Sequence, residues 1–219
     1  MQIHLLGYSE AAVSRLLETL QLKGYSDEIV IVQNIKVPEV LPFCPPGIRY
    51  RKVFWDQWFF EYDKQACIPA VMNPNPKKLI FDFFDKNKGV SKVNYFSLAH
   101  PSSITASTAQ IDKGCFFEPG VIIASFARIG FAVYVNRGST IGHHSVIGDF
   151  VTIGPGVHIA GHCYIGNGSQ VGIGSVIFDH VKIGNNSIIG GGTVVTKDIP
   201  DNVVAWGNPC RIVKTNTDK

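Results

Sequence analysis

The sequence predicts a mixed fold, a small α/β domain followed by a parallel β-helix, and three observations carry that expectation. The first is an aliphatic column with a strict six-residue period: Ile111, Phe117, Ile123, Ile129, Val135, Ile141, Ile147, Ile153, Ile159, Ile165, Val171, Ile177, Ile183, Ile189 and Val195. The second is a small or β-branched residue four places after each, as at Cys115, Ala127, Ser139, Ser145, Cys163 and Ser169. Gly often follows the aliphatic directly, as at Gly142, Gly148, Gly154 and Gly166. The third is a strand–helix–strand pattern at the N-terminus. A period of six fits neither an amphipathic helix nor an alternating strand. It fits a solenoid in which each hexad is one short strand plus a corner and three hexads close a triangular coil. One aliphatic per hexad then points inward, so stacked coils share a core that no single coil could bury.

Taken in order, Gln2–Leu6 reads as a short apolar strand ending at Gly7. A helical pattern runs from Ser9, a candidate cap, to Leu22, with Leu16, Leu17, Leu20 and Leu22 on its buried face. Gly24 lies just beyond, and Glu28–Val32 is a second β-branched strand, which together suggest parallel strands joined by a helix. Residues Leu41–Tyr50 are loop-rich, with Pro42, Pro45, Pro46 and Gly47. The aromatics of Phe54–Tyr62 are expected in packing rather than in ligand stacking. Ala66–Val71 reads as a strand, Pro74–Asn87 as a helix with Leu79, Phe81 and Phe84 inward, and Tyr95–Ala99 as the last strand before Pro101. The expected division is 1–100 for the α/β domain, 101–212 for the β-helix and 213–219 for a loose polar tail.

Composition removes several function classes. A net charge of +3 with scattered Lys and Arg gives no basic stripe, so no nucleic-acid partner is expected. No long apolar run suggests a membrane span or a signal peptide, and no membrane partner is expected. The cysteines Cys44, Cys67, Cys115, Cys163 and Cys210 are odd in number and dispersed, with no metal-type pair. Cys115 and Cys163 occupy the small-residue slot and read as reduced core residues, which favours the cytoplasm.

In a triangular coil, residues one full turn apart stack at the parallel-strand spacing of ~4.8 Å. His143 then lies below Gly161 and Asp179, while Asn136 lies below Gly154, Gly172 and Gly190. The glycine column reads either as a groove for a thin linear ligand such as a pantetheine arm or as ordinary corner glycine. His144, His162 and His180 form another column. Three stacked imidazoles could bind a divalent metal, but no carboxylate joins them before Asp198. An exposed or inter-subunit ladder is the expectation, with no metal.

The repeat and the segment Val135-Asn136-Arg137-Gly138-Ser139-Thr140-Ile141-Gly142-His143-His144 resemble the bacterial hexapeptide-repeat acyltransferases that act on nucleotide sugars or sialic acid. Leu98-Ala99-His100-Pro101 resembles the segment that joins their Rossmann-like domain to the β-helix. The resemblance implies a left-handed β-helix, homotrimers with sites shared by two subunits, and acetyl-CoA as co-substrate. It implies His143 as general base with Asn136 opening the catalytic hexad, and the Gly161 N–H as oxyanion donor. Coenzyme A would touch Ala160, Gly161, Gly172, Ile173, Gly190, Gly191, Asn208 and Pro209. The sugar nucleotide would meet Gly7, Tyr8, Ser9, Gln33 and Asn34.

The chain departs from the family at three places. Gly7-Tyr8-Ser9-Glu10 replaces a Gly-rich loop, Gln33-Asn34 replaces an acidic pair, and His144 replaces the acid after the base, for which Asp149 or a neighbouring subunit is a candidate substitute. The activity implied is N-acetylation of a nucleotide-linked amino sugar, with O-acetylation of a hydroxylated metabolite such as sialic acid, or a non-catalytic trimeric solenoid, as alternatives.

Overall fold

A computed structural model describes residues 2–36, 42–62 and 65–217. The chain opens with β1 (Gln2–Leu6), α1 (Glu10–Leu22), β2 (Ile29–Gln33), β3 (Tyr50–Phe54), β4 (Gln65–Pro69) and α2 (Pro74–Lys88). The four strands form one parallel sheet in the order β3-β2-β1-β4. β1 and β2 are almost wholly buried, as expected for parallel strands covered on both faces. Within β1, His4 is buried and its Nδ1 accepts from Trp58 Nε1 at 2.9 Å. Burial, with Arg51 adding to it, lowers the His4 pKa to about 4, so this imidazole is neutral in the fold.

From Leu98 onward the chain winds into coils whose two-residue strands stack in parallel register one turn apart, as in Tyr134↔Thr152, Thr140↔His158 and Val146↔Tyr164. Three flat sheets result. Face one carries Leu98, Phe116, Tyr134, Thr152, Gln170 and Ile188; face two carries Ile104, Ile122, Thr140, His158, Val176 and Val194; face three carries Gln110, Arg128, Val146, Tyr164 and Lys182. The six-residue aliphatic column fills the shaft, forming one continuous core from Phe117 to Val195 with Ile111 partly buried at its foot.

The small-residue slot has its own logic. Ser139 Oγ donates to Gly154 O at 2.8 Å and accepts from Val157 N at 3.1 Å, and Ser145 repeats the pattern with Ala160 O and Cys163 N. Buried hydroxyls thus satisfy corner groups that the strand ladders leave unpaired. Cys115 and Cys163 make the same reach to Gly130 O and Phe178 O, and both are free thiols in the core.

The α/β domain packs onto the coils. Leu16, Leu17 and Leu20 of α1 join Leu98, Phe116 and Tyr134 of face one. Arg15 Nη1 reaches Glu118 Oε1 at 2.8 Å and the Tyr134 hydroxyl at 3.0 Å, while Arg137 Nη1 stands 3.3 Å from Glu118 Oε2. Burial alone would raise the Glu118 carboxyl pKa; the bonds from Tyr134 and Arg15 outweigh it and hold the group ionised. From α2, the buried Lys77 Nζ donates to Ala132 O and Val151 O, both at 2.9 Å. Burial lowers its pKa to about 7.

Several expectations are corrected. The loop reading ends at Tyr50 and the aromatic stretch begins at Phe54, yet Tyr50–Phe54 forms β3 and pairs along its length with β2; its nearly uniform partial burial leaves no alternation to mark a strand in sequence. Leu22 is exposed, because α1 turns it away from the sheet. Leu79 is likewise 67 % exposed, and Ile80 and Phe84 take the inward face of α2, with Phe81 packed at its edge. Ser9 occupies the N-cap without a side-chain cap bond. Trp58 is buried, but Phe59 and Tyr62 point to solvent. Leu98–Ala99 already belongs to face one, through Phe116–Phe117, while Tyr95 bridges to Cys67 of β4. The tail is not loose at its start: Arg211–Thr215 pairs antiparallel with Val203–Trp206, and Asn216 Nδ2 donates to Asn186 O. Leu41, Asp218 and Lys219 lie outside the described residues.

Candidate active site

The site begins at the corner between faces two and three, where the chain turns after Thr140–Ile141. Gly142 has no room for a side chain there: a Cβ would stand 2.4 Å from the Ala160 carbonyl and 2.6 Å from Gly161 N. One coil up, a Cβ on Gly161 would meet His143 Cε1 at 2.7 Å and Nε2 at 2.8 Å. The His143 imidazole therefore lies directly against a backbone that only glycine leaves bare. The Gly161 N–H donates to no other group among the described residues. An exposed imidazole and a free N–H thus sit together at one corner.

His143 Nδ1 lies 3.1 Å from His144 Nδ1. One of the two must donate and the other accept, so a His143 whose Nδ1–H points at His144 presents a bare Nε2 outward. That is the orienting function a carboxylate would serve, performed by a second imidazole. Asp149 does not substitute: its Oδ1 accepts from Phe131 N at 2.9 Å and its Oδ2 pairs with Lys92 at 2.7 Å, at the corner between faces three and one. His144, His162 and His180 stack as the column arithmetic expects, with centroids 4.9 Å apart at each step. Desolvation first, then the neighbouring imidazoles, lowers the His162 pKa.

The remaining sequence-predicted residues divide by corner. Asn136 is buried at the corner between faces one and two, and its Nδ2 donates to Ile153 O at 2.7 Å. Strand Thr140–Ile141 separates it from His143. Gly172, Ile173, Gly190 and Gly191 share Asn136's corner, whereas Ala160 and Gly161 share His143's. One chain therefore does not bring the predicted coenzyme contacts into a single pocket; face two lies between them. The Gly172 column is also not an open groove, because a Cβ at Gly172 would strike Gly191 N at 2.5 Å. Ile173, 63 % exposed, is an apolar side chain that this corner presents to solvent. Asn208-Pro209 is a cis peptide just above, anchored where Gly207 O accepts from Val194 N and Cys210 N donates to Val194 O.

At the carboxyl ends of β1, β2 and β4 a cavity of about 440 Å³ is lined by Tyr8, Ser9, Asn34, Met72, Leu79 and Ile80, among others. Three of the five residues expected to meet a sugar nucleotide line it. Gly7 does not line it but lies behind, at φ +84°, where a Cβ would overlap Ile80 Cδ1. Gln33 stays in register with Phe54 of β3. Met72, Asn73 and Leu79 were not anticipated. The signal available for them was position alone, since they follow the carboxyl end of β4, and that end of the strands is where ligands enter open α/β sheets.

Residues 162–197 match the family model for the bacterial transferase hexapeptide, six repeats. A search of curated protein sequences finds no match. Solved structures align over nearly the whole chain. The acetyltransferase domain of PglB from Neisseria gonorrhoeae, in complex with acetyl coenzyme A, is 21% identical with TM-score 0.82, covering 97% of this chain and 98% of that one. A mutant perosamine N-acetyltransferase from Caulobacter crescentus, in complex with CoA and GDP-perosamine, is 21% identical with TM-score 0.80, covering 97% of each. WeeI from Acinetobacter baumannii is 23% identical with TM-score 0.76, covering 97% of this chain and 100% of that one. The chain carries the hexapeptide repeat over the matched residues, and its α/β domain followed by a left-handed β-helix is the fold of these solved acetyltransferases.

Proposed function

We propose that the protein is an acetyl-CoA-dependent N-acetyltransferase acting on the amine of a nucleotide-linked amino sugar, working as a homotrimer. The observation that carries this reading is the His143 imidazole lying against Gly161, whose N–H is free. In support, the similar structures are described with acetyl coenzyme A, CoA and GDP-perosamine.

The amine nitrogen attacks the thioester carbonyl while His143 Nε2 takes its proton. The carbonyl oxygen becomes an oxyanion and accepts from the Gly161 N–H. Collapse of the tetrahedral intermediate breaks the C–S bond, and the departing thiolate takes the proton back from His143. No acyl-enzyme is required: Cys163 is buried, burial pushes its thiol pKa up, and Ser139 is committed to Gly154 O. Ala160 and Gly161 of one subunit, with Gly172, Ile173, Gly190, Gly191, Asn208 and Pro209 of the next, would flank coenzyme A. The cavity beside Tyr8, Ser9 and Asn34 would take the nucleotide end of the substrate.

Thiol release from acetyl-CoA, measured with amino-sugar nucleotides, free sugars and sialic acid, tests the proposal. Turnover should appear with an amino-sugar nucleotide and fall by about 10²–10⁴-fold in His143→Ala. Transfer to a hydroxyl alone would move the reading to O-acetylation, and silence with every acceptor would leave an assembly solenoid. Near-wild-type turnover of His143→Ala at saturating substrate would remove His143 from the mechanism.

A further inference from the structure

The histidine ladder expected from the eighteen-residue spacing is not bare. His143, from the neighbouring column, stands edge-on to both His144 and His162, with ring centroids at 5.3 and 5.1 Å and interplanar angles of 87° and 88°. Ladder rings alone are parallel and direct their nitrogens along similar lines; the perpendicular ring gives the group a third direction. One nitrogen from each of His143, His144 and His162 lies within 4.8 Å of the others, and all three side chains are exposed. His180 continues the stack above His162 at an interplanar angle of 3° but lies outside this group, turned toward Asp179 with Nε2 3.8 Å from its Oδ2.

His144, His162 and His180 also hold left-handed backbone, at φ 59°, 58° and 62°. Side-chain-bearing residues adopt that conformation far less readily than glycine does. The corner between faces one and two places Gly there, as at Gly138, Gly156 and Gly174, while Phe126, Ala132, Phe150 and Asn186 share the left-handed backbone elsewhere in the coils.

We propose that His143, His144 and His162 form a site for a divalent transition-metal ion of the zinc class, with water as fourth ligand. Imidazole nitrogen suits zinc, nickel and copper, and a site of nitrogen donors alone does not suit calcium or magnesium. Zinc–nitrogen bonds of about 2.0–2.1 Å set tetrahedral nitrogen–nitrogen separations near ~3.4 Å. The 3.1 Å between His143 and His144 Nδ1 atoms is already close to this, and exposed rings need only small rotations to complete it. Resting on the reading of His143 as base, an ion held by His143 Nδ1 leaves that ring's one proton on Nε2, which then has no lone pair to accept the substrate proton, so the metal inhibits transfer.

Titration of metal-free, full-length protein with Zn²⁺ should show one ion bound per chain. Co²⁺ should give the visible absorption of a four-coordinate nitrogen site. His144→Ala and His162→Ala should each weaken Zn²⁺ binding by tenfold or more, with melting temperature unchanged because both rings are exposed, while His180→Ala keeps wild-type affinity. The double variant His144→Ala/His162→Ala retains every cysteine and so controls for thiol binding. No saturable binding, or equal affinity in the double variant, would overturn the site. In the transfer assay Zn²⁺ should inhibit over the concentration range in which it binds, reversibly with chelator, each variant being compared with its own metal-free rate. Histidine-dependent binding that leaves turnover untouched would support the metal site and overturn His143 as base.

Discussion

Gly161 shows how much of the site rests on one missing methyl group. A Cβ there would stand 2.7 Å from the His143 ring, and the atom it meets belongs to an exposed side chain, not to backbone. The ring would move and the coil would stay. Gly161→Ala should therefore lower kcat by about 10²-fold or more with little change in melting temperature, since a displacement of an ångström or so is enough to spoil a proton transfer. Unchanged kcat in a folded Gly161→Ala variant would show that the ring's position against the glycine is immaterial. The residue identities at this corner were legible before any coordinates, because the His143–Gly161 stacking follows from a coil of fixed length. What was not legible was the partner of His143. Sequence spacing puts His144 next in the chain, but only the left-handed backbone at 144 swings its Nδ1 to within 3.1 Å of its neighbour. Asp149, closer to the residue type expected, stands at another corner by its place in the coil, and Lys92 and Phe131 N hold its carboxylate there.

At the scale of the element, the repeat wrote itself into the sequence and the α/β domain did so less completely. Each coil strand faces one environment, the shared shaft, so a single aliphatic every six residues marks it. β3 faces two half-filled environments at a sheet edge, and its Tyr-Arg-Lys-Val-Phe composition carries no clear alternation. α2 misled for a related reason: Leu79 serves a cavity and Ile80 the core, and apolarity alone does not distinguish them. The corner glycines give a further test. Gly172 reads in sequence as an open groove position, but its Cβ would strike the backbone of the coil above. Backbone moves less readily than a side chain, and overpacking of this kind costs about 1–3 kcal/mol. Gly172→Ala should thus lower the denaturation midpoint measurably, whereas Ile173→Ser, at the exposed neighbour, should leave stability within about 0.5 kcal/mol. Equal stability of Gly172→Ala and wild type would mean that the coil spacing can relax at that corner.

Across the whole molecule, both parts lose stability under acid. His4 is neutral in the fold with a pKa of about 4 and an ordinary value of 6.5 when unfolded. Between those values the unfolded chain binds the extra proton, so stability rises with pH through this window and is lost on acidification from 6.5 toward 4. Glu118 acts in the same sense: its folded pKa is depressed, and its contribution disappears as pH falls through the carboxylate range. The full His4 contribution is on the order of 3 kcal/mol, and His4→Gln should flatten the stability profile between pH 6.5 and 4, followed by denaturant midpoint. An unchanged slope would show that His4 is not the group titrating. The larger consequence concerns assembly. His143 with Gly161 and Ile173 with Gly191 stand on different corners of one triangle, with the whole of face two between them. A coenzyme touching both sets must lie between two chains, one offering each corner. His143→Ala and Ile173→Glu should then each abolish or sharply reduce transfer, by removing opposite walls of every site. When the two variants are denatured together and reassembled, some sites receive His143 from one chain and Ile173 from its neighbour. With equal mixing in a cyclic trimer, about a quarter of sites are complete, and about a quarter of wild-type activity should return. If both corners served the same site within one chain, no mixture could restore it, and two inactive variants would remain inactive together.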